Sequence, residues 1–403
     1  MIYLVGKSTD NMSPDKIKSA TIVSLIFILL LFIIGVSPYI EEVKPLRMAQ
    51  AFAKGGCIIT YLYEIIKHLS VLWRQKSTRY NLLFALLILL SAPFSKNPQL
   101  ALAPLYVLLS FPFFYVMSKE RKISNKQIVI FLLIGLVLAS NNTIQYYYKF
   151  DTYSIEEIYE GNYTNNSSYT IALLLPFFFL LKRRANYWFL IIPSCFLVLI
   201  SQKRGAILSS SIFLLSYLYL TVRNSSKKTR FFSLIAVAFL FFLVYSGLSF
   251  FLHRFVDASS SGRSEMYPFY LSRWMDGSFL RLLFGNGLYA TMDLLFNGNS
   301  LYAHSDFVEV IYDFGILGLS IYTSMIIAIL HFGFRQRKIL QETSLCLFFV
   351  MAIFIIKSAI SGVYLDIEAN LLFISLGILM GRSSSFLRSL GYQTQQDERI
   401  NTR

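Results

Sequence analysis

Charge is scarce in this chain of 403 residues: Asp, Glu, Lys and Arg together make up 15%, against 55% hydrophobic residues. That is too little polar surface to cover a water-soluble domain of this length, which excludes a soluble enzyme. Cysteine is rarer still. Cys57, Cys195 and Cys346 lie far apart in or beside apolar runs, so they form neither a disulfide framework nor a metal-binding spacing. The four histidines are equally scattered and supply no zinc cluster, so neither a metal nor a cofactor is expected. Of the two charge signs the acidic one is in deficit, with 22 Asp and Glu against 37 Lys and Arg and a net charge of +15. The basic residues sit in short clusters between apolar stretches. No basic face or recognition motif accompanies them, so nucleic acid is excluded as a partner and a lipid bilayer is implied.

What is abundant agrees with that. The chain has 37 Phe and 26 Tyr and a mean hydropathy of +0.56, which suits lipid-facing helices with aromatic residues near the interfaces. A membrane span needs about 20 predominantly apolar residues. Such runs cover Ala20–Ile40, Met48–Trp73, Tyr80–Phe94, Leu100–Met117, Gln127–Ser140, Ser168–Leu181, Tyr187–Ile200, Gly205–Val222, Phe231–Leu252, Phe307–Phe332, Leu345–Tyr364 and Asn370–Met380. The first is too long for a cleaved signal core and reads as a retained span. The expected fold is therefore an all-α polytopic membrane protein of about 12 transmembrane helices.

The loops order these spans. Arg74–Arg79, Lys119–Lys126, Lys182–Arg184, Arg223–Arg230 and Arg335–Lys338 are basic, whereas Glu41–Arg47, Asp151–Glu160 and Leu365–Glu368 between them are acidic or mixed. Basic loops at every second turn satisfy the positive-inside rule with both termini cytoplasmic. Four regions follow: N-terminal membrane helices over residues 1–252, a large outer loop over 253–304, C-terminal membrane helices over 305–382, and a polar cytoplasmic tail over 383–403. A second outer segment covers Asn141–Ser167. The large loop holds Arg254, Arg263, Arg273 and Arg281 among aromatics, with Gly285-Asn286-Gly287 near its middle, and is expected to pack as short helices.

Two polar clusters fall at the outer face. Gln202-Lys203-Arg204-Gly205 puts two cations at a membrane edge, where they either snorkel to the interface or bind phosphate at headgroup depth. His304-Ser305-Asp306 opens a span, and Glu309 and Asp313 follow four apart on one helical face. There His304 is either an interface residue or a catalytic one, and Asp306 either a helix cap or a reagent. Both clusters occupy one face under a topology that the loops set independently.

These residues resemble a known family. Arg204-Gly-Ala-Ile-Leu208 matches a signature of Arg, three residues and Leu. His304-Ser305, nine residues and then Gly315-Ile-Leu-Gly318 match a second. Ser261-Gly262-Arg263-Ser264-Glu265, with the later Gly285-Asn286-Gly287, resembles a segment common in polymerase members. With the spans and the large loop, the chain is similar to the O-antigen polymerase and O-antigen ligase superfamily, its specific motifs lying within Lys203–Gly318. The resemblance implies an enzyme of bacterial surface polysaccharide assembly: an inner-membrane glycosyltransferase whose donor glycan rides on undecaprenyl pyrophosphate at the periplasmic face. A polymerase passes that glycan to another lipid-linked repeat unit; a ligase passes it to lipid A-core.

On this reading Arg204 stabilises the charge growing on the departing pyrophosphate, with Arg263 a second contact and Lys203 a weaker one. His304 takes the proton of the acceptor hydroxyl, Asp306 contributes to substrate binding, and direct displacement inverts the anomeric carbon. A competing role for His304 is binding without proton transfer. The segment around Arg263 and the acids beside His304 favour polymerase over ligase, and a chain-length regulator protein is a candidate partner. A transporter of lipid-linked sugars is a third reading. It would carry related halves with broken spans and charges at the midplane, and the sequence has no such repeat.

Overall fold

The computed structural model describes residues 14–39, 43–96, 98–150, 167–181, 184–201, 203–223, 231, 238, 263–296, 299–300 and 302–391. Helix dominates because a backbone in lipid must satisfy its own N–H and C=O groups. In chain order the helices are α1 (Pro14–Val36), α2 (Lys44–Lys67), α3 (Leu69–Arg74), α4 (Lys76–Ser91), α5 (Leu102–Lys119), α6 (Asn125–Phe150), α7 (Ser167–Leu174, continued by a 3-10 turn to Leu180), α8 (Trp188–Ile200) and α9 (Arg204–Arg223). After them come α10 (Arg263–Met275), α11 (Phe279–Phe284), α12 (Asp306–Gln336), α13 (Gln341–Ile360) and α14 (Asn370–Ser389). A two-residue hairpin, Leu295–Phe296 against Asn299–Ser300, is the one sheet among the described residues.

Eight of the described helices are long and apolar enough to cross a membrane, and two shorter apolar ones cover Ser167–Leu180 and Trp188–Ile200. The expected span Phe231–Leu252 lies outside the described residues. Met48–Trp73 becomes α2 and α3, and the eight do not include it. Yet Phe52, Ile59 and Ile66 form an outward stripe on α2, each at least 70% exposed, while Gln50 and Glu64 are buried on its other side. Two boundaries differ from expectation. Helix α6 runs on through the Asn141–Phe150 part of the expected outer segment. Helix α14 continues to Ser389, past the expected start of the tail, because its Ser384 and Ser385 bond the Tyr115 hydroxyl and the Arg121 guanidinium at the end of α5.

At the centre, α5 and α14 lie side by side. A Cβ added at Gly377 would fall 2.7 Å from the Phe111 carbonyl oxygen, and one at Gly381 2.4 Å from that of Tyr115. Two glycines four residues apart let the backbones meet, which is how helices associate where lipid offers no hydrophobic drive. The connections separate to the two ends of the bundle. His68 and Lys122 both reach Glu120 at one end, at 3.1 and 2.5 Å, and Lys96 pairs with Asp293 at the other, at 3.0 Å.

Helix α12 is broken. Gly315 has φ +64°, which divides it into 306–314 and 316–336. The carbonyls of Tyr312 and Asp313, just before the break, accept hydrogen bonds from the Asn286 and Gly287 N–H groups at 3.0 and 2.9 Å. The Asn286 side chain adds another to Tyr312 at 3.1 Å. Gly285 (φ +80°) meets the same place, since a Cβ there would lie 2.2 Å from the Asp313 carbonyl oxygen. A Cβ on Gly315 would lie 2.5 Å from the Leu283 carbonyl carbon. The Gly-Asn-Gly turn and the first glycine of Gly-Ile-Leu-Gly are therefore two halves of one joint, each needing a conformation that side chains resist.

Candidate functional site

The first segment of α12, residues 306–314, carries three buried acids, and each fastens chain from outside that segment. Asp313 accepts from the N–H groups of Tyr289 and Ala290, at 2.8 and 3.0 Å. Glu309 accepts from the Ala303 N–H at 2.6 Å and from the Thr291 hydroxyl. Asp306 accepts from the Val363 N–H at 2.8 Å, the Tyr322 hydroxyl at 2.5 Å and the Ser358 hydroxyl. These acids thus act as acceptors for backbone and hydroxyl donors of the large loop, of α12 and α13, and of the α13–α14 connection. Met266, Tyr270, Ala303, Val308 and Tyr312 pack as a small core that seats α10 on the same segment.

Beside this assembly is a cavity of about 410 Å³. Its wall brings together Lys203 from the α8–α9 turn, Tyr169 from the first turn of α7, Tyr289 and Tyr302 from the large loop, and His304 and Asp306. The floor comes from the α13–α14 connection, including Ser361, Asp366 and Glu368. Every one of these positions belongs to the same end of the bundle. His304 has φ +54°, a left-handed conformation that turns the chain from loop into helix, and its ring centroid is 4.0 Å from that of Tyr302. Tyr289, also left-handed at φ +60°, is pushed above the ordinary tyrosine range by burial and then by the Glu309 and Asp313 carboxylates. It therefore presents a hydroxyl at neutral pH.

The floor is organised by Lys357, one turn from the end of α13 and fully buried. Its ammonium donates to the Gly362 carbonyl at 2.7 Å, to Ser361 Oγ at 3.3 Å and to the Asp366 carboxylate. It also lies 4.4 Å from the centre of the Tyr169 ring. Burial by itself would raise the Asp366 carboxyl. Lys357 and the donors around Glu368 outweigh that and hold it below the usual carboxylate range. Lys203 sits 5.8 Å from the same ring, and Ser361 Oγ donates to the Tyr169 hydroxyl at 2.9 Å. That hydroxyl explains Gly205, because a Cβ there would lie 1.8 Å from it.

Lys203, His304 and Asp306, singled out in the sequence, thus meet on one cavity. Arg204 does not line it; it is exposed in the first turn of α9. Arg263 opens α10, and its side chain lies outside the described residues, as does Arg254. Asp306, expected to bind substrate, has its carboxylate taken by three protein donors. Sequence reasoning missed Tyr169, Lys357, Asp366 and Glu368. For Lys357 there was a signal: a lone cation inside an apolar run is costly and marks a functional position. Among the described residues no group of three or more His, Cys, Asp or Glu is placed to hold a metal ion. Compared with known proteins, the chain matches no family model, and no curated protein sequence matches it.

Proposed function

We propose that this protein is a glycosyltransferase of bacterial surface polysaccharide assembly that takes its donor glycan from undecaprenyl pyrophosphate, acting as an O-antigen polymerase. The observation that carries the reading is the meeting of Lys203 and His304, distant in sequence, on one cavity with tyrosines at one end of a helical membrane bundle. A cation at the mouth suits a diphosphate, the tyrosine rings suit sugar faces, and an imidazole suits proton transfer near neutral pH. Lys203 is the cation of the cavity wall; Arg204, next to it in sequence, is exposed in the first turn of α9.

In the reaction the acceptor hydroxyl oxygen attacks the anomeric carbon and its proton passes to His304. The anomeric C–O bond breaks with its electron pair leaving on the polyprenyl pyrophosphate, whose charge Lys203 stabilises. The product is inverted. The cavity end of the bundle then faces the periplasm of an inner-membrane protein with cytoplasmic termini, consistent with the basic loops at the opposite end. His304→Ala and Lys203→Ala, at normal membrane levels, are expected to abolish long-chain polysaccharide; normal chain length from both refutes the mechanism. Deleting the gene separates the polymerase from the ligase alternative, since the first loss leaves lipopolysaccharide with a single repeat and the second leaves bare core.

A further inference from the structure

Helix α12 carries its own depth gauge. From Phe314 to Phe334 it has no Asp, Glu, Lys or Arg, and Arg335, Arg337 and Lys338 close it. At 1.5 Å per residue this stretch is about 30 Å long, the thickness of the hydrocarbon core of a bilayer. Gly315 therefore stands at one edge of that core, and the stub 306–314 with its three acids rises from there through the headgroup layer. Helix α4 marks the same level independently. It is uncharged between Arg79 and Lys96, and its exposed end meets the Gly-Asn-Gly turn, where a Cβ on Gly287 would lie 3.8 Å from the Phe94 carbonyl oxygen.

Helix α11 is seated at this level. A Cβ on Gly315 would lie 2.5 Å from the Leu283 carbonyl oxygen and 2.6 Å from that of Leu282. None of the six residues of α11 is buried. Leu280 and Phe284, one turn apart on one face, are 65% and 51% exposed, and Phe279 beside them is 76% exposed. Water gives such a surface nothing to bond, whereas acyl chains match it. The apolar surface also continues into the spans themselves, through exposed Ile316 and Leu317 on α12 and through Leu86, Leu90 and Phe94 on α4. Arg273 and Arg281, both exposed at the same place, suit lipid phosphates, since their long stems lie along apolar surface while the guanidinium reaches the headgroups.

We infer that α11 is an interfacial membrane anchor: Phe279, Leu280 and Phe284 enter the acyl region of the leaflet on the cavity side, and Arg273 and Arg281 meet its lipid phosphates. The large loop, read from its sequence as lying outside the bilayer, is then held in it near its middle. The joint of Gly285, Gly287 and Gly315 ties this anchor to Asp313 and so fixes how high the cavity stands. By helical rise Asp306 comes about 13 Å beyond Gly315. Nothing in this depends on the proposed reaction, for α11 holds the cavity at that height whatever binds there.

The test uses full-length protein in nanodiscs of phosphatidylethanolamine and phosphatidylglycerol, carrying one nitroxide label at Leu280→Cys or at Phe284→Cys. Cys57, Cys195 and Cys346 are buried and stay unlabelled. Collision with oxygen, which concentrates among acyl chains, is compared with collision with a water-soluble nickel chelate. Leu86→Cys, exposed on α4 about two turns inside Phe94, calibrates the core, and the exposed Lys338→Cys calibrates water. Both α11 labels are expected to favour oxygen, at about 5–10 Å below the phosphates and shallower than Leu86→Cys. If one variant fails to fold, the other decides. A preference for nickel equal to that of Lys338→Cys places α11 in water and overturns the anchor. Weak collision with both reagents means that a second copy or a partner protein covers the helix, and overturns it as well.

Discussion

Replacing Lys357 by methionine keeps the length of the side chain and removes its charge from beneath the Asp366 carboxylate. The ammonium is fully buried and the carboxylate 20% exposed, so little solvent screens the pair. Removing one member of a buried ion pair costs about 3–5 kcal/mol because the other is left uncompensated. Asp366→Asn should cost less, since Lys357 keeps the Gly362 carbonyl, Ser361 and the Tyr169 ring. The double variant leaves no stranded charge, and its loss should fall short of the sum of the singles by more than about 1 kcal/mol. Thermal unfolding of purified protein in detergent measures the cycle. The sign with pH is a second check. In the wild type the Asp366 pKa is depressed, so its contribution is fully present above the unfolded carboxylate value of about 3.9 and is lost only as pH falls through the lower folded value. Stability attributable to the pair is therefore flat from pH 8 to 5. In Lys357→Met, burial without its cation raises that pKa above the unfolded one. The variant then gains stability relative to wild type as pH falls and loses it as pH rises through the raised value. Strictly additive single losses, or a Lys357→Met deficit independent of pH, would refute the argument.

Two further outcomes follow from close contacts at glycines. Gly205→Ala is expected to displace Tyr169 and, under the proposed function, to reduce transfer at least tenfold, and Gly205→Ala with Tyr169→Phe to recover part of it, because the double variant removes the 1.8 Å clash but keeps the ring carbon at 2.9 Å; transfer rates in membranes at matched protein levels decide it. Gly285→Ala and Gly315→Ala each place a methyl group within 2.5 Å of the facing backbone at positive φ, and are expected to cost several kcal/mol, on the order of the strain and overpacking combined. Limited proteolysis should then cut the large loop faster than in wild type, and equal cutting rates would refute the interlocking joint.

Much of this was legible in the sequence because bilayer physics is coarse. Runs of apolar residues and alternating basic loops are enough to place α4, α5, α9 and α13 near their observed bounds. Lys203 and His304 stood out as polar residues at span ends, and the cavity unites them. The acids were read correctly as sharing a face, but their partners were not foreseen. Spacing shows that Glu309 and Asp313 point the same way; it does not show that backbone N–H groups of Ala303, Tyr289 and Ala290 wait there. Tyr169, Lys357 and Glu368 escaped for a similar reason. Each acts through tertiary neighbours from other helices, and only Lys357 broke a local rule visibly enough to be noticed. The limits of α2 were blurred by Lys54 and Glu64, whose charges turn inward while an apolar stripe faces out.

The joint at Gly315 also moves a boundary. By hydropathy the extramembrane part ends where α12 begins, yet residues 306–314 are stitched by carboxylates and carbonyls to chain that precedes them by up to 26 positions. The natural seam of the molecule thus runs through the interior of a helix. Anyone exchanging the large loop between such proteins has to carry the helical stub along as far as the glycine, since a cut at the water interface would part the loop from the fasteners that give it shape.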